Sequence, residues 1–334
     1  MHLAHVKWFV DDPQRVPLDW SLLVGPFTLL GLGLVAAGIL VLPLLQRVLN
    51  EERLTRWLRR NLRPVLPLLL SVHLAVALTA YALTRRYLAP GLDLPGTGWG
   101  TVLAGAQLLV AMLIALGLFT RLAAGLLVLS GPVGALFYGV LPILERMELL
   151  GIALYLALVG RRRFAVDALI RRRPDPGRAM NPVAVGMLRL FAGLAVAVNA
   201  LTEKLLAPEV SAAFLQDQSS FNLLRGAGVS DAAFAGIAGA VELALGLLLA
   251  TGVGTRLLVL IAVIPFNATL LFLGWEELIG HLPIYGIFLV LLIEGGGRIR
   301  DPGSWRRAER ALGAGLDPVS SGTAGSSSST GSRS

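Results

Sequence analysis

VELALGLLLATGVGTRLLVL, residues 241–260, decides how the whole chain is read. Its first half is apolar or small at every position except Glu242. Gly252, Gly254, Thr255 and Arg256 then mark a turn, and the chain re-enters an apolar run. The same design stands 135 residues earlier in AQLLVAMLIALGLFTRLAAG, residues 106–125. Seven of the twenty positions are identical: Leu108/Leu243, Leu113/Leu248, Ala115/Ala250, Gly117/Gly252, Thr120/Thr255, Arg121/Arg256 and Leu122/Leu257. Two copies of one helix–turn–helix hairpin indicate an internal duplication. The copies differ at one telling place, where the first has Gln107 and the second Glu242.

Composition fixes the medium. Of 334 residues, 55% are hydrophobic and 15% charged, and the mean hydropathy is +0.72. A soluble chain of this size cannot bury that much apolar surface, so an integral membrane protein is expected. A net charge of +8 would suggest nucleic acid in a soluble protein. In a membrane protein it reflects arginines gathered in loops on one side, and no nucleic-acid partner is expected. Cysteine is absent, which excludes disulfides, thiol nucleophiles and thiolate-held zinc or iron–sulfur sites. The first twenty residues mix Trp8, Phe9 and Trp20 with Lys7, Asp11 and Asp12, which suits the membrane interface better than a cleavable signal peptide.

The chain divides into an extracytoplasmic interfacial segment (1–21), an N-terminal span (22–45) and a basic cytoplasmic connection (46–64). A first four-helix repeat (65–160), a basic cytoplasmic linker (161–180) and a second four-helix repeat (181–296) follow. The cytoplasmic tail (297–334) turns Gly/Ser-rich from about 313, which predicts disorder. Helices of the first repeat are expected near 65–84, 100–118, 122–141 and 147–160. Those of the second are expected near 183–203, 232–252, 257–274 and 281–294. Nine spans with the amino terminus outside put 21 of the 29 Lys and Arg on the cytoplasmic side, as the positive-inside rule asks. The expected fold class is an all-α integral membrane protein with about nine transmembrane helices. Two tandem parallel four-helix bundles and one N-terminal span make up that count. The matching location is the cell (plasma) membrane, with the carboxyl terminus cytoplasmic.

Ionisable groups inside a membrane cost several kcal/mol unless paired or used. Glu242, about halfway along its helix, must find a cation or take up a proton, which makes it the proton-exchange candidate. Arg189 and Lys204, near opposite ends of the preceding helix, and Asn267 on the next are its candidate partners. A structural hydrogen bond locking the bundle is the alternative role. Lys204 is also placed where a lysine can snorkel to the interface, whereas Asn199, one turn deeper, has no such route. Thr255–Arg256 and Thr120–Arg121 are expected to cap helices and to anchor at lipid phosphates. Of four histidines only His73 falls clearly within a span, so a haem pair is not expected. His2, His5 and His281 are weak candidates for a metal, and no metal site is assigned. Pro132 and Pro265 lie inside the third helix of each repeat, where proline kinks open space.

LRLFAGLAVAVNALTEKL (188–205), the helix with Glu242 and the GVGTRL turn (252–257) together resemble the DoxX family of four-helix membrane proteins. In that family an arginine opens the first helix, a lysine closes it, an acid sits in the second, and a G-x-x-T-R turn follows. Arg189, Lys204, Glu242 and Gly252–Thr255–Arg256 stand in those places. The resemblance covers 181–303 and is weak over 65–170. Asn199 departs from the usual glycine, and the span at 22–45 lies outside it. DoxD-related members are similar to subunits of thiosulfate:quinone oxidoreductases and terminal quinol oxidases. The resemblance therefore implies a membrane subunit of a redox or respiratory complex that binds a quinone or a lipid head group at Arg189, Asn199, Lys204, Glu242 and Asn267. It implies no covalently bound cofactor and places any redox centre on partner subunits. A homo-oligomer is also compatible with it. The alternatives are a small-molecule transporter, a lipid-binding protein, or a non-catalytic scaffold.

Overall fold

In hydrocarbon every backbone N–H and C=O needs a partner within its own segment, so long apolar runs become helices. The computed structural model describes Lys7 and residues 16–49, 51–161, 165–170 and 181–298. Among them there is no strand, only one isolated bridge between Arg86 and Asp93. After a 3-10 turn over Trp20–Val24, capped by Asp19, come α1 (Pro26–Leu49), α2 (Glu51–Leu62), α3 (Leu66–Leu83) and α4 (Gly98–Leu116). Next are α5 (Thr120–Tyr138), α6 (Val140–Leu144), α7 (Met147–Val159) and α8 (Val166–Ile170). The chain finishes with α9 (Pro182–Ala200), α10 (Pro208–Asp217), α11 (Asp231–Thr251) and α12 (Thr255–Glu294). Seven helices among the described residues are long and apolar enough to cross a membrane, while Met147–Val159 and Thr255–Leu270 are shorter apolar helices. The chain is an all-α membrane protein. His2, His5, Trp8, Phe9, residues 171–180 of the linker and the tail beyond 298, including the stretch expected to be disordered, lie outside the described residues.

The duplicated turn has one geometry in both copies. Gly117 and Gly252 follow α4 and α11 at φ of 65° and 86°, and Phe119 and Gly254 are left-handed as well. A left-handed residue there lets the last helical carbonyls be capped, and Gly252 N–H donates to the carbonyls of Leu248 and Leu249.

The end of the second repeat differs from expectation. A connection was expected over 275–280, but the chain stays helical to Glu294, broken only at Gly274 (φ 67°, ψ −142°). Glycine alone adopts that conformation readily. The two arms fold back on each other: Arg256 donates to the carbonyls of Leu292 and Ile293, and the Phe266 and His281 rings lie 4.6 Å apart. Restarting the helix at once places Glu277 and His281 four residues apart on one face.

Packing pairs α3 with α4, α5 with α7 and α9 with α11. Between the repeats, α7 runs along α9 and α12 along α3. One core therefore serves both halves, from Leu66 and Leu70 through Ile152 and Tyr155 to Leu188, Ile287 and Leu291. α9 and α11 approach closely through small residues. A Cβ added to Gly193 would come 2.5 Å from Gly246 O, and one on Gly246 would come 2.6 Å from Ala197 N. Small residues four apart on both helices, Gly193/Ala197 and Gly246/Ala250, are the usual means of tight helix contact in membranes. α1 covers the far side of α11, with Gly31 against Ala240.

Candidate functional site

Lys204 and Glu242 are the expected pair that the fold joins. The last turn of α9 widens into a π-helical turn over Leu201–Leu205, closed by Leu206 N–H donating to Leu201 O at 2.8 Å. Single π turns recur at functional sites because they re-aim side chains. This one buries Thr202, Glu203, Lys204 and Leu205 together. Lys204 Nζ donates to both Glu242 oxygens at 2.7 Å, and both side chains are buried. Lys204 thus does not snorkel. Gly239 on α11 makes room for its stem, since a Cβ there would lie 2.9 Å from the Lys204 Cβ.

Around this pair stands a larger polar cluster, assembled at the end of the fold where α9 finishes and α7 begins. Glu145, just before α7, accepts from Lys7 Nζ and from Thr202 Oγ1 at 2.6 Å, while its carbonyl accepts from Asn199 Nδ2 at 3.1 Å. Next to it Arg146 meets Glu148 at 3.3 Å, both buried. On α12, His281 Nδ1 lies 3.4 Å from Glu277 Oε1, with Glu277 fully enclosed. Glu277 is within electrostatic reach of Lys204, Glu203 and Glu242. Tyr81, whose hydroxyl donates to Ile279 O at 3.2 Å, is within reach of Glu277, Arg146 and Glu148. Among the described residues this end of the fold thus gathers five buried carboxylates (Glu145, Glu148, Glu203, Glu242, Glu277) with Lys7, Arg146, Lys204 and one histidine. Burying charge is costly, so each of these groups depends on the others around it.

Other expected site residues lie elsewhere. Asn199 belongs to the cluster through Glu145 and does not touch Glu242. Asn267 is exposed and donates to Val263 O at 2.8 Å, one turn back on its own helix. Arg189 sits at the opposite, arginine-rich end, where its guanidinium packs on Gly252. Four to five helical turns separate the two ends of α9, and this distance keeps Arg189 from the acid. Arg256 does not point to lipid but clasps the last carbonyls of α12, as suits a cation at a helix C-terminus. Thr255 Oγ1 donates to Gly252 O rather than capping its helix, and α5 is instead capped by Asp167, which accepts from the Phe119 and Thr120 N–H groups. His281 Nδ1 faces Glu277, and no group of three or more His, Cys, Asp or Glu among the described residues is placed to hold a metal.

Gln107, the counterpart of Glu242, is a structural group. Its oxygen accepts from Leu88 N–H at 2.9 Å and its amide donates to the carbonyls of Leu78 and Arg86. The loop after α3 thereby folds onto the first repeat.

Glu145, Glu203 and Glu277 were not singled out by sequence. Glu277 and His281 at helical spacing were the available signal, hidden by reading 275–280 as a connection. Comparisons with protein-family models, with curated proteins and with solved structures find no match.

Proposed function

We propose that the chain is a DoxX-like, nine-span membrane protein. Two tandem parallel four-helix bundles follow one N-terminal span, in the cell membrane, with the amino terminus outside and the carboxyl terminus cytoplasmic. In this reading it serves as a membrane subunit of a redox or respiratory complex. The polar cluster beside Glu242 takes a quinone-type or lipid head group, and the redox centre resides on partner subunits. The observation that carries the reading is the fully enclosed Glu277 within electrostatic reach of the buried Lys204–Glu242 pair. Buried acids gathered this closely suit exchange of protons with a bound quinol-type group. Lys204 and His281 would hydrogen-bond ring oxygens, and the apolar wall at Phe266 would meet the ring.

Extraction of quinone and lipid from protein purified in mild detergent tests this. The reading expects a quinone near one per chain in the native protein and its loss in Glu242→Gln. A native protein without quinone, or a variant that keeps it, contradicts the proposal. One observation favours a second reading: both oxygens of Glu242 are already engaged by Lys204. A scaffold locked by that pair would keep its fold with no ligand at all.

A further inference from the structure

At the arginine-rich end the structure has a cavity of about 350 Å³. Arg59 of α2, Arg63, Arg256, Arg298 and Glu294 line it, with Gly295–Gly296–Gly297 and the first turn of α9 forming the rest of the wall. Among the described residues that line it, four guanidiniums stand against one carboxylate, a formal excess of three positive charges. The plain explanation is that arginines cap the C-terminus of α12, and part of the set does so. Arg256 and Arg59 donate to carbonyls of Leu292 and Ile293, and Arg63 donates to Glu294 at 2.8 Å. A helix C-terminus carries only about half a negative charge, and the N-terminus of α9 at the same cavity offsets it with a similar positive one. Capping therefore does not use up the charge.

Two further observations point to an anion. Arg189, behind the wall at Gly252 and Gly296, is 6% exposed and makes no hydrogen bond or ion pair with any described residue, and its Nε is buried without a partner. Arg63 Nε is likewise buried without a partner. A buried guanidinium without a counter-anion is costly. The glycines of the wall let the chain after α12 pack closely on the starts of α12 and α9: a Cβ on Gly296 would meet Thr255 Oγ1 at 2.7 Å, and one on Gly297 would meet Gly186 N at 2.4 Å.

We propose that this cavity binds a phosphate group, supplied by the head group of an anionic membrane lipid. Guanidiniums match phosphate oxygens with paired, charge-assisted hydrogen bonds. The cavity lies where α3 and α9 start and α12 stops, at the ends of helices long and apolar enough to cross a membrane, and basic pockets between helix ends are suited to such head groups. This site is separate from the carboxylate cluster and stands whether or not that cluster binds quinone.

The test uses the full chain in detergent, read by native mass spectrometry with phosphatidylglycerol or phosphatidylcholine added, and by thermal shift with inorganic phosphate. The double variant Arg59→Gln/Arg298→Gln is compared with Arg56→Gln/Arg60→Gln, whose two arginines are exposed on α2 and do not line the cavity. The expected result is preference for the anionic lipid, weakened about tenfold or more in the first variant and kept in the second. Stabilisation by inorganic phosphate that the first variant loses would support the same chemistry with a soluble source. Equal binding of the two lipids with no phosphate effect, or equal losses in both variants, overturns the proposal. Arg298→Gln alone, an exposed side chain beyond the last helix, gives the same direction without risk to assembly.

Discussion

Lys204 Nζ lies 2.7 Å from each oxygen of Glu242, across 38 residues of sequence, with both side chains buried. The pair bridges the end of α9 and the middle of α11, so it holds together the two helices that carry the second repeat. Removing one partner strands a buried charge at a cost of about 3–5 kcal/mol, whereas replacing both with apolar groups of similar volume is often neutral. Lys204→Met should therefore lower thermal stability in detergent sharply, and Lys204→Met/Glu242→Leu should recover most of the loss. A double variant as unstable as the single would show that the lysine acts elsewhere.

Glu277 gives a prediction of opposite sign. Glu277→Gln removes a fully enclosed carboxylate from beside two other buried ones, Glu203 and Glu242, without disturbing the Lys204–Glu242 pair. Its melting temperature should hold or rise, in contrast to Lys204→Met. A fall comparable to that of Lys204→Met would mean that Glu277 is held by its own partner and is not burdened by its acidic neighbours.

Contact between α9 and α11 depends on missing side chains. A Cβ on Gly246 would press to 2.6 Å from the backbone of Ala197, and a β-branched residue adds two more atoms. Gly246→Val should push the helices apart and cost about 1–3 kcal/mol or more from overpacking, read as loss of monodisperse protein on gel filtration or a lower melting temperature. Gly105→Val on α4, where a Cβ meets nothing within 4 Å, should be tolerated.

Gln107 separates the repeats chemically. Its amide faces two carbonyls, Leu78 O and Arg86 O, which a carboxylate cannot satisfy. Gln107→Glu should destabilise the first repeat by about 1–3 kcal/mol, the penalty for buried polar groups left unpaired. It should not add a second functional site. If Gln107→Glu were fully stable and doubled the quinone content, the asymmetry between the repeats would be accidental.

Much of the architecture was legible because a repeated Gly-x-x-Thr-Arg turn has few conformations, and Gly117 and Gly252 adopt the same one. Apolar run lengths located the helices for the same reason. What failed were polar residues near helix ends. Lys204 was open both to pairing with Glu242 and to snorkelling, since nothing local announces the π turn that decides for the pair. Residues 275–280 read as a connection, since WEELIG looks solvated until Gly274 is known to reverse the helix at a single residue. Asn267 shared the right helix with the site but faces outward, and periodicity alone did not separate the two faces of so apolar a segment.

The proposed function requires Glu242 to meet a ligand inside the carboxylate cluster. Infrared difference spectroscopy on the purified protein, with and without a short-chain quinone, tests it most directly. The expected result is a carboxyl or carboxylate band that changes on addition, is present in the native chain and is absent from Glu242→Gln. A spectrum in which no such band changes, or one in which the same band persists in Glu242→Gln, would contradict it.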